Sequence, residues 1–574
     1  MMQDQRNLFL AFALSALVLL GWQLLLPKRT AVNPPPPVVT SPAAPTVAAS
    51  PAAEAQRDEK LAEAPRIPVE TPRLRGSISL SGGRIDDLVL TDYFETVNHA
   101  KQVTLLSPAG SADPYYVEFG WRADGDVPVP TAQTVWTAQG DQKLTPSSPV
   151  TLSWDNGAGL LFTRTISVDP NYLFTVKQTV ANRGSSQVSL KPYGTIVRIH
   201  APTVKSSSGK ESLDPAASIA GYYGAGLDEV SYSDTAKKGL VENQATGGWL
   251  GMNDKYWLVA AVPPKDQPAA MTLRDDKAGD SNRYSATYQS NGLSVAPGSS
   301  IETVSLMFAG AKEQNLLESY QDADGIPKLE RAIDFGWLFF LAKPFFIAIH
   351  FIAKQVGNFG VAILIFNVVL KIILFPLQDR SYRQSARMRE VQPKIAALKE
   401  RFGDDREKMA QAQMELFKKE KINPASGCLP IFIQLPIFYA LFRVLSTTIE
   451  MRQAPFFGWI HDLSAPDPTT IWNLFGLIPW DAQGTLPDFL NLGVWPLIYG
   501  ATMYLQQKMT PMPTTDPAQA RIMALMPLVF MFFFARFPAG LTIYYSWNAV
   551  LTIAQMELIR RRSAQRNTLA ANKA

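Results

Sequence analysis

The 574-residue sequence predicts a membrane α-helical protein of six spans that carries a large extracytoplasmic all-β sandwich. Three observations lead there. Very apolar runs alternate with ordinary polar sequence, a segregation hidden by a mean hydropathy of −0.02. From about Arg73 to Tyr320 the text changes to short strands separated by dense turn signals, the pattern of a sandwich large enough for its own core. Lysine and arginine gather in two short segments, which orients the spans.

Residues 8–26 are long enough to span a bilayer. They run into Pro27-Lys28-Arg29 rather than a small-residue cleavage site, so 1–29 reads as an uncleaved signal anchor. Residues 30–72 hold ten prolines among Ala, Val, Thr and Ser, the composition of an extended linker that cannot bury a core. The β-domain is expected over 73–322. Its clearest hairpin is 160–168, turned by Asp169-Pro170-Asn171 into 172–176. Segments 257–262 and 301–308 add strands, and Trp121, Trp154 and Trp257 read as core aromatics. Residues 327–343 mix charges with Leu, Ile, Trp and Phe, which suits a helix lying in the membrane interface and closed by Pro344.

The second span, with its lead-in, covers 344–376. Its last 20 residues or so are nearly all aliphatic, enough to cross the bilayer. The exceptions are Asn367 and Lys371, four apart and therefore on one helix face. A lysine at the centre of a span costs about 2.5–3.5 kcal/mol on insertion scales. Two readings fit it: Lys371 faces a polar cavity, or its stem carries the ammonium to the interface. From this helix alone the two weigh equally.

Residues 377–427 read as a helical hairpin. Met388, Val391, Ile395, Leu398 and Phe402 form a 3-4-3-4 seam, Gly403 breaks it, and Asp404 with Glu407 reads as a capping box. Met409, Ala412 and Leu416 repeat the seam, and Pro393 kinks the first helix or marks its start. The third to sixth spans fall within 428–562, at 428–449, 491–508, 522–537 and 541–559, and 563–574 is a basic tail.

Twelve Lys and Arg lie between Leu377 and Cys428, and five more follow Ile559, whereas 451–490 holds only Arg452. The basic segments belong on the cytoplasmic side, which puts both termini in the cytoplasm and the β-domain outside. Lys28 and Arg29 stand against this and are outvoted. One cysteine excludes an internal disulfide framework, four scattered histidines form no ligand cluster, and neither a phosphate loop nor a nucleophile elbow is present. Nothing calls for an enzyme, a metal or a cofactor.

Several segments resemble the YidC membrane protein insertases, a family with mitochondrial and chloroplast relatives. They are Lys371-Ile372-Ile373-Leu374-Phe375-Pro376-Leu377, Gln392-Pro393-Lys394-Ile395, Asn423-Pro424, Gly427-Cys428 and Ile433-Gln434-Leu435-Pro436-Ile437-Phe438. Arg452-Gln453-Ala454-Pro455-Phe456, residues 459–464, Asp516-Pro517, Phe537-Pro538-Ala539-Gly540-Leu541 and Tyr544-Tyr545 follow in order. The first span and β-domain resemble the Gram-negative form, whose outer domain is a supersandwich similar to sugar-binding mutarotase-like folds.

The resemblance implies an inner-membrane insertase and chaperone with a five-helix core. Its water-filled groove opens to the cytoplasm and to lipid. One positive charge there attracts acidic groups of translocated segments of nascent membrane proteins, and apolar parts slide into lipid along the third and fifth spans. The groove charge, usually arginine, falls on Lys371, which keeps the charge without the bidentate fork. Asn367 and Gln434 are candidates for the rest of the lining, with helix-to-helix hydrogen bonding the rival role. Tyr544 and Tyr545 line the groove or anchor at the interface. Met526, Phe530 and Phe533 belong to a soft hydrophobic slide or to ordinary lipid-facing packing. Arg443 is expected to snorkel outward.

The implied partners are nascent membrane proteins, the Sec translocon, membrane lipids, and a ribosome and targeting receptor met through the hairpin and tail. The tail suits ribosomal RNA and anionic lipid equally. Two rivals come from other classes. A secondary transporter of a small anion would show paired internal repeats, which are missing. An anchored sugar-binding or enzymatic module would concentrate its motifs outside the membrane, where few fall.

Overall fold

The computed structural model describes residues 51–140, 143–205, 211–224, 226–235, 240–278, 281–403, 405–420, 429–478, 491–509 and 517–571. The expected first span at 8–26, Asp404 of the capping box, Asn423-Pro424 and Cys428 lie outside them.

A large all-β domain precedes a helical region containing apolar helices. The β-domain consists of a ten-stranded and a nine-stranded antiparallel sheet plus a two-stranded ribbon, with their buried faces forming one core. The 160–168 hairpin forms where local chemistry demands it. Asp169 Oδ1 accepts from the amides of Asn171 and Leu173 at 3.0 and 2.9 Å, and Leu160–Val168 pairs antiparallel with Leu173–Asn182. Trp257–Val262 is buried at all six positions, as a strand covered on both faces must be. Trp121 and Trp257 are buried in the core, and Trp154 packs at its margin.

The β-fold starts earlier than expected, at Arg66 rather than Arg73. Within the region expected as linker, Pro51–Ala62 is helical (α1) and Arg66–Glu70 is a strand. Ile67 and Val69 alternate inward and are buried, and that alternation outweighs the surrounding proline content. Pro68 is tolerated because this strand is the edge of the ten-stranded sheet.

After helix α2 (Gln314–Asp324) comes a correction to the expected helix over 327–343. Within 327–338 the only helical piece is Leu329–Ala332, a single 3₁₀ segment, and the α-helix that follows is Phe339–Val356 (α3), with Pro344 inside it rather than closing it. The reason is tertiary. Trp249 Nε1 donates to Pro327 O at 3.0 Å, and Lys312 Nζ donates to Ala332 O at 2.9 Å. A helix over this stretch would turn those carbonyls inward, and Lys328 and Gly336 also hold positive φ. At Gly336 a Cβ would lie 2.0 Å from the Tyr439 hydroxyl, so the close approach requires glycine.

Gly357 ends α3 in the left-handed conformation, and Asn358 Oδ1 caps the next helix by accepting from Val361 N at 3.0 Å. That helix, Phe359–Phe402 (α4), runs for 44 residues, roughly 66 Å on the rise of an α-helix. It continues through both Pro376 and Pro393, where the sequence pattern placed a span end and a kink or start. Each proline forfeits its own N–H bond and leaves the carbonyl four residues back without its helical donor, and continuing the helix still satisfies the remaining backbone groups. Arg406–Lys419 (α5) folds back on α4, capped by Asp405 rather than Asp404, with Asp405 Oδ1 accepting from Lys408 N at 3.1 Å. Val391 and Ile395 are buried against Leu416 and Phe417, the seam of the hairpin.

The remaining helices are Leu429–Thr447 (α6), Val494–Met509 (α7), Pro517–Phe534 (α8) and Ala539–Ala571 (α9). By length and composition α3 and residues 359–379 of α4 are apolar enough to cross a membrane, and 432–447 and 521–534 are shorter apolar stretches. Helix α3 packs on α4 and α6, α4 on α9, α9 on α7, and α7 on α8. Both ends of α3 lie at one end of this bundle. Asp334, just ahead of it, pairs with Arg443 near the end of α6, and its far end hands directly to the start of α4.

Candidate functional site: a polar seam inside the helical bundle

Helix α4 turns two faces to different surroundings. Ile372 and Ile373 are two-thirds exposed, whereas Asn367 is fully buried and Lys371 half-buried. Lys371 Nζ donates to Thr552 Oγ1 on α9 at 2.7 Å, and that hydroxyl donates onward to Asn548 O at 2.7 Å. The ammonium therefore points into the bundle, across to α9, and not along its stem toward a helix end. Among the described residues it has no carboxylate partner.

One turn away, Asn367 Nδ2 donates to the Tyr544 carbonyl at 3.2 Å, and its Oδ1 has no partner. Gln434 on α6 faces the Tyr544 and Tyr545 hydroxyls, with its Nε2 buried and unpaired. Asn367 thus makes the cross-helix bond and also leaves an acceptor open. Tyr544 and Tyr545 are buried, with Tyr545 packed against Phe438, Phe534 and Tyr499. Their rings sit inside the bundle rather than at its rim.

Apart from Tyr545, the sequence pattern missed the facing wall. On α9, Tyr545, Asn548, Thr552 and Gln555 recur at spacings of 3, 4 and 3, one helical face. Both side-chain polar atoms of Gln555 and the Tyr545 hydroxyl are buried without partners. Buried polar atoms are almost always satisfied, so a cluster of open ones on α4, α6 and α9 forms a seam with hydrogen-bonding capacity to offer water or a polar ligand. The periodicity was present in the sequence, and the signal to seek was a second polar stripe opposite Asn367 and Lys371.

Aromatic rings close the seam at the end nearest the β-domain. Phe438 and Phe442 on α6 meet Phe534 and Phe537, with centroids 5.5–6.3 Å apart. Beyond the rings, the amides of Ala539 and Gly540 donate to Ala465 O and Leu463 O, and Ser464 Oγ meets Tyr256 of the β-domain at 3.4 Å. Arg443, expected to snorkel outward, reaches toward the β-domain end of the bundle, where it pairs with the Asp334 carboxylate and donates to its carbonyl.

Away from the rings, α6 and α8 present apolar side chains outward. Phe432 and Leu435 on α6, and Ile522, Leu525, Leu528 and Val529 on α8, are about half exposed or more. Of the expected slide residues, Phe533 is exposed on this side and contacts Phe537 at 4.8 Å. Phe530 and Met526 are half-buried, and Phe530 turns toward Phe534.

Residues 66–348 match the family described as YidC periplasmic domain, and residues 351–566 match the 60Kd inner membrane protein family. A membrane protein insertase YidC of Methylobacterium radiotolerans is 45% identical over 98% of this chain and 95% of its own. Another, from Rhizobium etli, is 45% identical over 98% and 96%. The chain belongs to the YidC family of membrane protein insertases. Among solved structures, an active YidC insertase with its first transmembrane domain resolved covers 89% of this chain and 94% of its own, at 18% identity and a TM-score of 0.36. A galactose mutarotase related enzyme from Lactobacillus acidophilus covers 43% of this chain and 97% of its own, at 11% identity and a TM-score of 0.30. YidC membership puts the chain among inner-membrane insertases with a periplasmic domain. It sets aside both the small-anion transporter and the anchored enzymatic module.

Proposed function

We propose that this YidC-family protein captures acidic translocated segments of nascent membrane proteins at Lys371 and releases their apolar spans into lipid between α6 and α8. The observation that carries the reading is a half-buried ammonium aimed into a polar seam, with no carboxylate beside it among the described residues. An ammonium and a carboxylate 4 Å apart attract by roughly 4 kcal/mol at an effective dielectric of 20, against about 1 kcal/mol in water. A wet seam lies between these values, strong enough to recruit a segment and weak enough to let it leave. Thr552 keeps the ammonium oriented while the site is empty. The apolar residues exposed on α6 and α8 meet the released span, with Met526, Phe530 and Phe533 on the slide.

In this reading the chain crosses the membrane six times, and five of the spans form the insertase core. Both termini and the α4–α5 hairpin are cytoplasmic, and the β-domain is periplasmic. Helix α3, with both ends at the β-domain side of the bundle, lies in the outer interface despite its apolar composition. The hairpin and tail offer a mixed-charge surface for a ribosome or targeting receptor, and the exposed faces of the bundle meet lipid and the Sec translocon. The test is insertion in reconstituted vesicles of a substrate with an acidic translocated segment. Lys371→Ala lowers it about tenfold, Lys371→Arg retains it, and an uncharged segment is indifferent to both. Full activity of Lys371→Ala on the acidic substrate removes Lys371 from the mechanism.

A further inference from the structure

Where the β-domain meets the start of α3, a cavity of about 500 Å³ is lined by both regions, within the size range of small-ligand sites. Its charged groups divide into engaged and open ones. Asp334 is held by Arg443, Lys343 by Glu318, and Glu229 by Asn253. Lys328 and Arg331 form no ion pair among the described residues, and Glu330 Oε2 is buried without a partner. Lys328 takes a left-handed backbone at φ 53°, a conformation uncommon for a residue with a side chain. Arg331 is laid over the Phe339 ring at 4.1 Å, a cation–π contact that fixes the guanidinium. Two open cations and one open anion thus share a pocket rim.

The surface continuing from that rim is apolar. Phe340, Ile347 and Phe351 on α3 are half exposed or more and follow at spacings of 7 and 4, along one helical face. Cations above an apolar stripe suit a phosphate carrying acyl chains, and the anion beside them suits an ammonium. We infer that this pocket binds the headgroup of a zwitterionic phospholipid, phosphatidylethanolamine in chemical type. Lys328 and Arg331 take its phosphate, Glu330 takes its ammonium, and the acyl chains lie along α3. The site rests on the interfacial placement of α3 proposed above. That placement is tested separately by quenching of Trp337, which is 59% exposed, with lipids brominated at graded depths.

The binding test is native mass spectrometry of the full chain from micelles doped with phosphatidylethanolamine or phosphatidylglycerol. The wild type retains the ethanolamine lipid preferentially, and millimolar inorganic phosphate does not displace it. Lys328→Glu with Arg331→Glu cuts retention about tenfold or more, the loss of one or more charge-assisted contacts. The milder Lys328→Gln with Arg331→Gln reduces it in the same direction, and Glu330→Gln erases the preference between the two lipids. Equal retention by the charge-reversed protein overturns the assignment, as does a wild type indifferent to headgroup. Displacement by inorganic phosphate overturns it in favour of a free-anion site. Quenching of Trp337 without headgroup selectivity breaks this inference alone, whereas no quenching breaks the placement of α3.

Discussion

Two lysines, one buried and one half-buried, divide the molecule's labour. Lys312, in the joint between the β-domain and the bundle, is almost fully enclosed and donates to Asn253 Oδ1 and Ala332 O, both at 2.9 Å. Burial pushes its ammonium down to about 8, while the carboxylates of Glu229, Asp254, Asp334 and Asp214 act in the opposite direction. Lys371, in the bundle, has a single hydroxyl partner and no carboxylate among the described residues. A charge surrounded by matched acceptors fixes a structure, whereas one left without its counter-charge is held ready for a ligand. Under the proposed function the same side chain is mortar in one place and bait in the other.

Four changes break or sharpen that contrast, the largest first. Lys371→Glu inverts the groove charge, and insertion of acidic segments should fall a hundredfold or so, about 2.7 kcal/mol, in the vesicle assay. Recovery with basic segments would show that sign, not shape, selects the substrate.

Lys312→Met removes the central donor of the joint and leaves its acids facing one another. This should cost about 3 kcal/mol, lowering the Tm of the full chain by several degrees. Insertion measured well below that Tm should be preserved, and a mutant crippled in insertion yet undiminished in Tm would reverse the two roles.

Glu450, just after α6, has one buried carboxyl oxygen without a partner, and burial with Glu313 nearby pushes it up to about 7. Because its folded-state value is raised, the folded chain holds this proton more tightly than the unfolded chain. Stability therefore falls as pH rises from about 4.5 to 7 and levels off above. Glu450→Gln should stabilise the chain at pH 8 by on the order of 2 kcal/mol and flatten that part of the Tm-against-pH curve. An unchanged curve would place the carboxyl in water.

Thr552→Val keeps the shape and removes the hydroxyl that orients Lys371. It should lower insertion of acidic segments two- to fivefold, about 0.5–1 kcal/mol. If it instead equals Lys371→Ala in effect, Thr552 belongs to the capture site itself.

Local chemistry was legible in the sequence, and long-range geometry was not. The 160–182 hairpin followed from Asp169-Pro170-Asn171 and strict alternation, because all its determinants lie within a few residues of the turn. Helix α3 could not be bounded that way, since the residues that pull 327–336 out of helical form are Lys312, 20 residues before its partner Ala332, and Trp249, 78 residues before Pro327. The early strand at Arg66–Glu70 was hidden by prolines that an edge position tolerates. Within the bundle, the spacing of Asn367 and Lys371 showed a shared face but not its direction. Thr552, which fixes that direction, lies 181 residues on.

Helix α4 carries Lys371 and the Val391–Ile395 seam of the hairpin on one uninterrupted rod. Val391 lies 20 residues beyond Lys371 and Ile395 24 residues beyond, roughly 30 and 36 Å along the helix. A rod transmits rotation. Under the proposed function, a partner that grips the hairpin also turns the wall that bears the ammonium, and the arrival of cargo and the readiness of the groove then share one mechanical axle. Pro376, where a single rung of the hydrogen-bond ladder is missing, is where that axle has most give.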